Sequence, residues 1–160
     1  MKNATDFHAT SSLNDCRLIT LNKHQHENGN LTVVVSNNEI PFDIKRIYYI
    51  YDVPGGIERG GHSHKECAKI LVAVSGSFSV TLTDGVDSIT YNLNRSNIGL
   101  YVAPGIWNTL NNFSSGSVVL AVTSNKYDAD AYERDYDEYL EKTACKRQKD
   151  LTHEISFPCS

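Results

Sequence analysis

Short apolar runs broken by turn residues recur along most of the chain. Residues 17–21 and 31–35 read as strands, joined by the polar segment 22–30 with Asn28-Gly29 as a hairpin turn. Pro41 precedes 42–51, rich in Ile and Tyr, and 69–74 reads as a buried strand, Lys69 leading into an apolar run. Ser75-Gly76-Ser77 turns the chain into 78–83, where Phe78, Val80 and Leu82 alternate with polar residues. Asp84-Gly85 then predicts a hairpin into 88–93, and 99–103, 107–113 and 117–123 complete the series. Many short strands at a spacing of about 8–12 residues predict an all-β sandwich or barrel. The pattern changes at Asp128. Segment 129–142 lacks Gly and Pro, and its Tyr132, Tyr136, Tyr139 and Leu140 recur at helical spacing, which predicts a C-terminal amphipathic helix with one face on the barrel. Residues after about Cys145 read as a loose polar tail, and 1–15 as a polar extension, which leaves 16–142 as the folded domain.

Composition fits that outline. A chain of 160 residues suits one domain able to bury its own core. Its 15 Lys and Arg against 19 Asp and Glu give a net charge of −4, which argues against a nucleic-acid surface but leaves room for a small anionic ligand. The polar first 14 residues contain no apolar core of a secretory signal, and no stretch is apolar enough to span a membrane. Cys16, Cys67, Cys145 and Cys159 form no CxxC pair, so they read as free thiols of a cytoplasmic protein, with a two-disulfide secreted domain as the alternative.

The densest chemical signal is Arg59-Gly60-Gly61-His62-Ser63-His64-Lys65. In a strand, His62 and His64 project to one face and Ser63 to the other. Such a pair can ligate a metal, act as acid and base near neutral pH, or serve structure alone. A metal needs further ligands. Glu66 could share the face of His64, but the later hairpin 104–108 offers Asn108 where a third His would be wanted. His8, His24, His26 and His153 lie in polar segments and read as solvated.

Several motifs in order resemble a known family: 44–50 with Arg46 and Tyr48, then 59–65, Val74-Ser75-Gly76-Ser77, 99–107 ending in Trp107, Tyr127-Asp128, and 134–139. Together they resemble the nucleotide-sugar 3,4-ketoisomerases of the cupin superfamily, which act on dTDP-4-keto-6-deoxyglucose. The resemblance implies a double-stranded β-helix, or jelly-roll, with a C-terminal helix, a homodimer, and catalysis with neither metal nor cofactor. It places the catalytic pair on His62 and His64, with Arg46, Tyr48 and Arg59 around the site. Ser63 stands where the family commonly has Ala, and Asn108 where several members have His or Arg.

Moving a carbonyl from C4 to C3 requires loss of the C3 proton, an enediol, and protonation at C4. A base near neutral pKa suffices. By analogy with the family, His64 is that base, His62 shuttles protons or stabilises the enediolate, and Tyr48 orients or donates to an oxygen. Proximity of two imidazoles disfavours double protonation and helps keep one basic. A diphosphate calls for guanidinium groups, for which Arg46 and Arg59 are the candidates. Trp107 is a candidate wall for thymine, and Asn108 is grouped with it as substrate-binding. An aminotransferase would consume the 3-keto product. The alternatives are a 3,5-epimerase on the same substrate, a non-catalytic nucleotide-sugar binder, and a metal-dependent oxygenase.

Overall fold

The computed structural model describes residues 11–154, with side chains described through Leu151. In chain order its strands are β1 (Arg17–Thr20), β2 (Asn22–His26), β3 (Gly29–Val33), β4 (Arg46–Ile50), β5 (Arg59–His64) and β6 (Lys69–Ser75). There follow β7 (Phe78–Thr83), β8 (Ser88–Leu93), β9 (Ile98–Val102), β10 (Trp107–Asn111), β11 (Val118–Thr123) and β12 (Tyr132–Glu133), and then helix α1 (Tyr136–Glu154). Two antiparallel five-stranded sheets form, ordered β1-β9-β6-β11-β4 and β12-β5-β10-β7-β8. This is the expected all-β jelly-roll with its C-terminal helix.

Alternation along the strands decides what the sheets bury. Leu71 and Ala73 of β6, Leu100 and Val102 of β9 and Val119 and Ala121 of β11 face Phe78, Val80 and Leu82 of β7 and Leu110 of β10 in one core. Each fully buried side chain of this size contributes about 1.5–3 kcal/mol. The residues between them are not wasted on solvent: Ile70, Val72 and Val122 point out of the first sheet and pack with Leu21 and Ile40 in a second cluster. With both faces covered, β6 carries an unbroken apolar run rather than an alternating one.

Three expectations change. Strand 17–21 does not pair with 31–35. β1 pairs with β9 instead, and the polar segment between them is itself a strand, β2, paired with β3 through a turn at 27–28. β2 is exposed at every position, which removes the apolar alternation that would mark it. The helix starts later than predicted. Asp128 accepts from Asp130 N to cap a 310 turn over Ala129–Ala131, β12 follows, and Asp135 Oδ1 accepts from Glu138 N at 3.0 Å at the start of α1. The helix also ends later, so 143–154 is helical rather than a loose tail. Arg147 holds it there, donating to Asp84 O at 2.9 Å and pairing with Asp84 Oδ2 at 3.1 Å at the β7–β8 turn. That turn forms as predicted, with Asp84 Oδ1 accepting from Val86 N and Asp87 N.

Candidate active site

β5 enters the second sheet through two glycines in the left-handed region, Gly60 at φ +83° and Gly61 at φ +66°. Opposite them the register slips: Asn108 faces His62, but Thr109 faces Gly60, so Gly61 is the extra residue of a β-bulge. A Cβ on Gly60 would lie 2.8 Å from the Asn108 carbonyl oxygen, so only glycine lets β10 approach this closely. The bulge aims His62 and His64 together, their ring centroids 5.1 Å apart. Ser63 points to the opposite face and is buried there. On the other edge of β5, Tyr132 of β12 pairs with His64, and its ring lies 4.1 Å from the His64 ring and 5.1 Å from that of His62.

The facing sheet adds Arg46 and Tyr48 from β4 and Lys69 from β6, on the inward positions that deeper in the barrel hold Ile50, Leu71 and Ala73. Arg46 Nη2 donates to Tyr132 Oη at 3.2 Å, and its guanidinium sits over the Tyr48 and Tyr127 rings at 5.1 and 5.3 Å. Arg134 covers Tyr132 at 4.4 Å. Lys69 Nζ donates to Asn108 Oδ1 at 2.8 Å, and Asn108 Nδ2 donates to the His62 carbonyl at 2.8 Å. The site is thus a polar layer at one end of an apolar barrel, stitched across both sheets.

Burial sets its electrostatics. Desolvation first, and the Lys69 charge second, lower His62 to about 4 and His64 to about 3, so both imidazoles are neutral at pH 7. A hydrogen bond to the Gly60 backbone offsets part of this at His62. Desolvation also pushes the Tyr48 phenol up to about 12 and Lys69 down to about 7. Three buried nitrogens of this layer, His62 Nε2, His64 Nε2 and Arg46 Nε, have no hydrogen-bond partner among the described residues. Unsatisfied buried polar atoms are uncommon, and three in one place mark a site where chemistry takes precedence over stability. Neutral imidazoles with free Nε2 atoms are poised for proton transfer.

A family model described as FdtA: WxcM-like, C-terminal matches residues 14–144. The chain is an FdtA-family cupin. It is similar to the TDP-4-oxo-6-deoxy-alpha-D-glucose-3,4-oxoisomerase of Aneurinibacillus thermoaerophilus, 39% identical over 77% of this chain and 88% of the relative. Among solved structures, a 3,4-ketoisomerase from Helicobacter canadensis is 38% identical, with a TM-score of 0.79 over 81% of this chain and 98% of the other. A histidine-to-asparagine variant of the 3,4-ketoisomerase QdtA from Thermoanaerobacterium thermosaccharolyticum, in complex with TDP-4-keto-6-deoxyglucose, is 35% identical, with a TM-score of 0.78 over 80% and 93% of the two chains. The FdtA-family chain is a cupin-fold 3,4-ketoisomerase.

Of the residues singled out from this cupin's sequence, His62, His64, Tyr48, Arg46 and Asn108 come together. Arg59 does not join them: it is exposed at the start of β5, in a groove of about 350 Å³ shared with Tyr48, Asp52 and Pro54. Trp107 is on the face of β10 turned away from the histidines, buried by the rings of Tyr136 and Tyr139 at 5.0 and 5.3 Å. It anchors the helix and forms no wall of the site. Asn108 is 1% exposed and both ends of its amide are engaged. Glu66 lies past the end of β5 and is exposed; among the described residues no group of three or more His, Cys, Asp or Glu is placed to hold a metal. Cys16, Cys67 and Cys145 are free thiols, and Cys159 is outside the described residues. No described helix is long and apolar enough to cross a membrane.

Two site residues were not singled out by sequence reasoning. Tyr132 reads as a helix residue, and only the β12–β5 pairing brings it to His64. Lys69 heads an apolar run and reads as the polar start of a strand; a lysine directly before six residues of which five are apolar is the signal that could have flagged it.

Proposed function

We propose that this chain moves the keto group of TDP-4-keto-6-deoxyglucose from C4 to C3 through an enediol. The observation that carries the reading is the pair of neutral imidazoles inside the polar end of the barrel, whose Nε2 atoms have no partner among the described residues. In our assignment His64 Nε2 accepts the C3 proton. The C3–H electron pair becomes the C3–C4 double bond, and the C4 carbonyl pair moves onto O4. Protonation at C4 and loss of the O3 proton then leave the ketone at C3, with no net redox change. His62 moves the protons between the oxygens, and Tyr48, kept protonated by its raised pKa, donates a hydrogen bond to one of them. Arg46, with Nε free, and the exposed Arg59 are the assigned partners of the diphosphate. Asn108 acts on the substrate indirectly, by fixing the His62 backbone and the Lys69 ammonium.

A second copy of the chain fits the outer face of edge strand β4 and the residue beyond it, where Ile47, Tyr49 and Tyr51 are 56%, 64% and 59% exposed. The product then feeds an aminotransferase on the way to a 3-amino- or 3-acetamido-deoxysugar, in a cytoplasm that keeps Cys16 and Cys67 reduced. Incubation with TDP-4-keto-6-deoxyglucose in D2O, followed by proton NMR, tests the reading. C3 exchange and a 3-keto product are expected, and H64N should lose about 10²–10⁴-fold in rate. Absence of both signals with the unaltered protein would sink it.

A further inference from the structure

Lys69 is 2% exposed, at the polar end of a barrel whose deeper layers are apolar. Its hydrogen-bond partner is a neutral amide, Asn108 Oδ1, and none of the ion pairs among the described residues includes it. An ammonium has three donors, and this bond uses one. Burying such a charge without a carboxylate costs several kcal/mol, a cost a purely structural lysine would escape by reaching solvent. The Asn108 amide joins Lys69 to the His62 backbone carbonyl in two hydrogen bonds, which ties the ammonium to the strand that carries the imidazole pair, and its charge acts on both rings.

We propose that Lys69 is a further catalytic residue of the isomerisation, its ammonium being the buried positive charge against which the enediolate oxygens form. As His64 takes the C3 proton, negative charge collects on O4. A fixed cation in a water-poor site stabilises that charge without having to reorganise. After desolvation, the same cation is the next influence that lowers both imidazole pKa values, so it reinforces the neutral state of the bases before substrate arrives. The titratable and charged groups that act with Lys69 are His62 and His64 of β5, Arg46 of β4, Cys67 ahead of β6 and Cys16 ahead of β1. Burial brings Lys69 itself to about 7, so its charge is lost as pH rises through neutrality.

This inference rests on the ketoisomerase reading, and its test separates the two. K69Q keeps a polar head able to bond Asn108 but carries no charge; K69M controls for that bond. The unaltered protein is assayed first on TDP-4-keto-6-deoxyglucose, and its failure to turn over refutes the ketoisomerase reading. Against an active parent, K69Q and K69M should each lose about 10²-fold in kcat. The parent's kcat/KM should fall above about pH 7, and this alkaline limb should vanish in both variants. N108D, which gives Lys69 an anionic partner, should move the limb to higher pH. Independently of turnover, NMR titration of the free protein should show the His62 and His64 imidazoles rising by half a pH unit or more in K69Q. A K69Q enzyme with parental kcat and an unmoved alkaline limb would overturn the proposal, as would imidazole pKa values unchanged by the substitution.

Discussion

Lys69→Met should make the protein more stable near neutrality while lowering its kcat about 10²-fold, and the gain in stability should fade as pH rises. The folded state holds Lys69 near 7, against 10.5 for the free side chain. Below pH 7 the lysine is protonated whether folded or unfolded, and the full cost of burying the charge falls on the fold. Between about 7 and 10.5 only the unfolded chain stays protonated, so that cost shrinks with each pH unit. Above 10.5 both states are neutral and it is gone. At 1.36 kcal/mol per unit the charge costs the fold about 4 kcal/mol at pH 7 and about 2 kcal/mol at pH 9. Methionine has a similar volume and no charge, but it leaves Asn108 Oδ1 without its donor, a loss of about 1–3 kcal/mol. The net expectation is a variant more stable by about 2 kcal/mol at pH 7 and close to the parent at pH 9. Urea denaturation of both proteins at the two pH values measures this, with equal m-values as the check that the states compared are the same. A stability difference that stays constant from pH 7 to 9 would show that Lys69 does not titrate in the fold as described, and a K69M protein less stable at pH 7 would show that its charge is compensated.

Acid should unfold the protein early. The unfolded chain protonates its histidines near 6.5, the native one holds His62 and His64 neutral to about 4 and 3, and stability therefore falls as pH drops through that window; the thermal midpoint between pH 7 and 4 measures it, and H64N should flatten the fall. Gly60→Ala forces a Cβ to 2.8 Å from the Asn108 carbonyl at φ +83°, whereas Gly61→Ala meets no atom within 4 Å. Both add left-handed strain of about 1–2 kcal/mol, but G60A should cost more and depress turnover by shifting His62; equal Tm losses would refute the close-approach argument. Tyr139→Phe removes the hydroxyl that bonds the Thr83 and Gly105 carbonyls and the Trp107 amide. It should lower stability by about 1–3 kcal/mol with kcat unchanged, read from denaturation and the NMR assay, since Trp107 lies away from the histidines.

The sheets were legible because burial on one face writes a period of two into the residues. Strands 78–83 and 88–93 are predicted to the residue. Where that physical cause is missing, the reading fails. β2 is exposed at every position and carries no such period. The histidine pair was legible because its spacing and the strand period coincide, and the glycines before it announce a bulge. Tyr132 was not, because only pairing with a strand distant in sequence brings it to His64, and Lys69 was not, because the apolar run it heads hides its polarity. Trp107 shows the converse: next to a site residue in sequence, it faces the other way because neighbours on a strand always do.

The two-residue strand β12 does more than deliver Tyr132. Without it, the Ser63–His64 end of β5 would present unpaired backbone donors and acceptors at the margin of its sheet, the kind of template on which chains add to one another and aggregate. The segment that roofs the histidines is therefore also the guard of that margin. Peeling it back to widen the pocket would uncover that edge in the same motion, at the cost of the backbone bonds between β12 and β5. Amide exchange of the Lys65 and Ala131 region should accordingly be slow, unlike that of a lid.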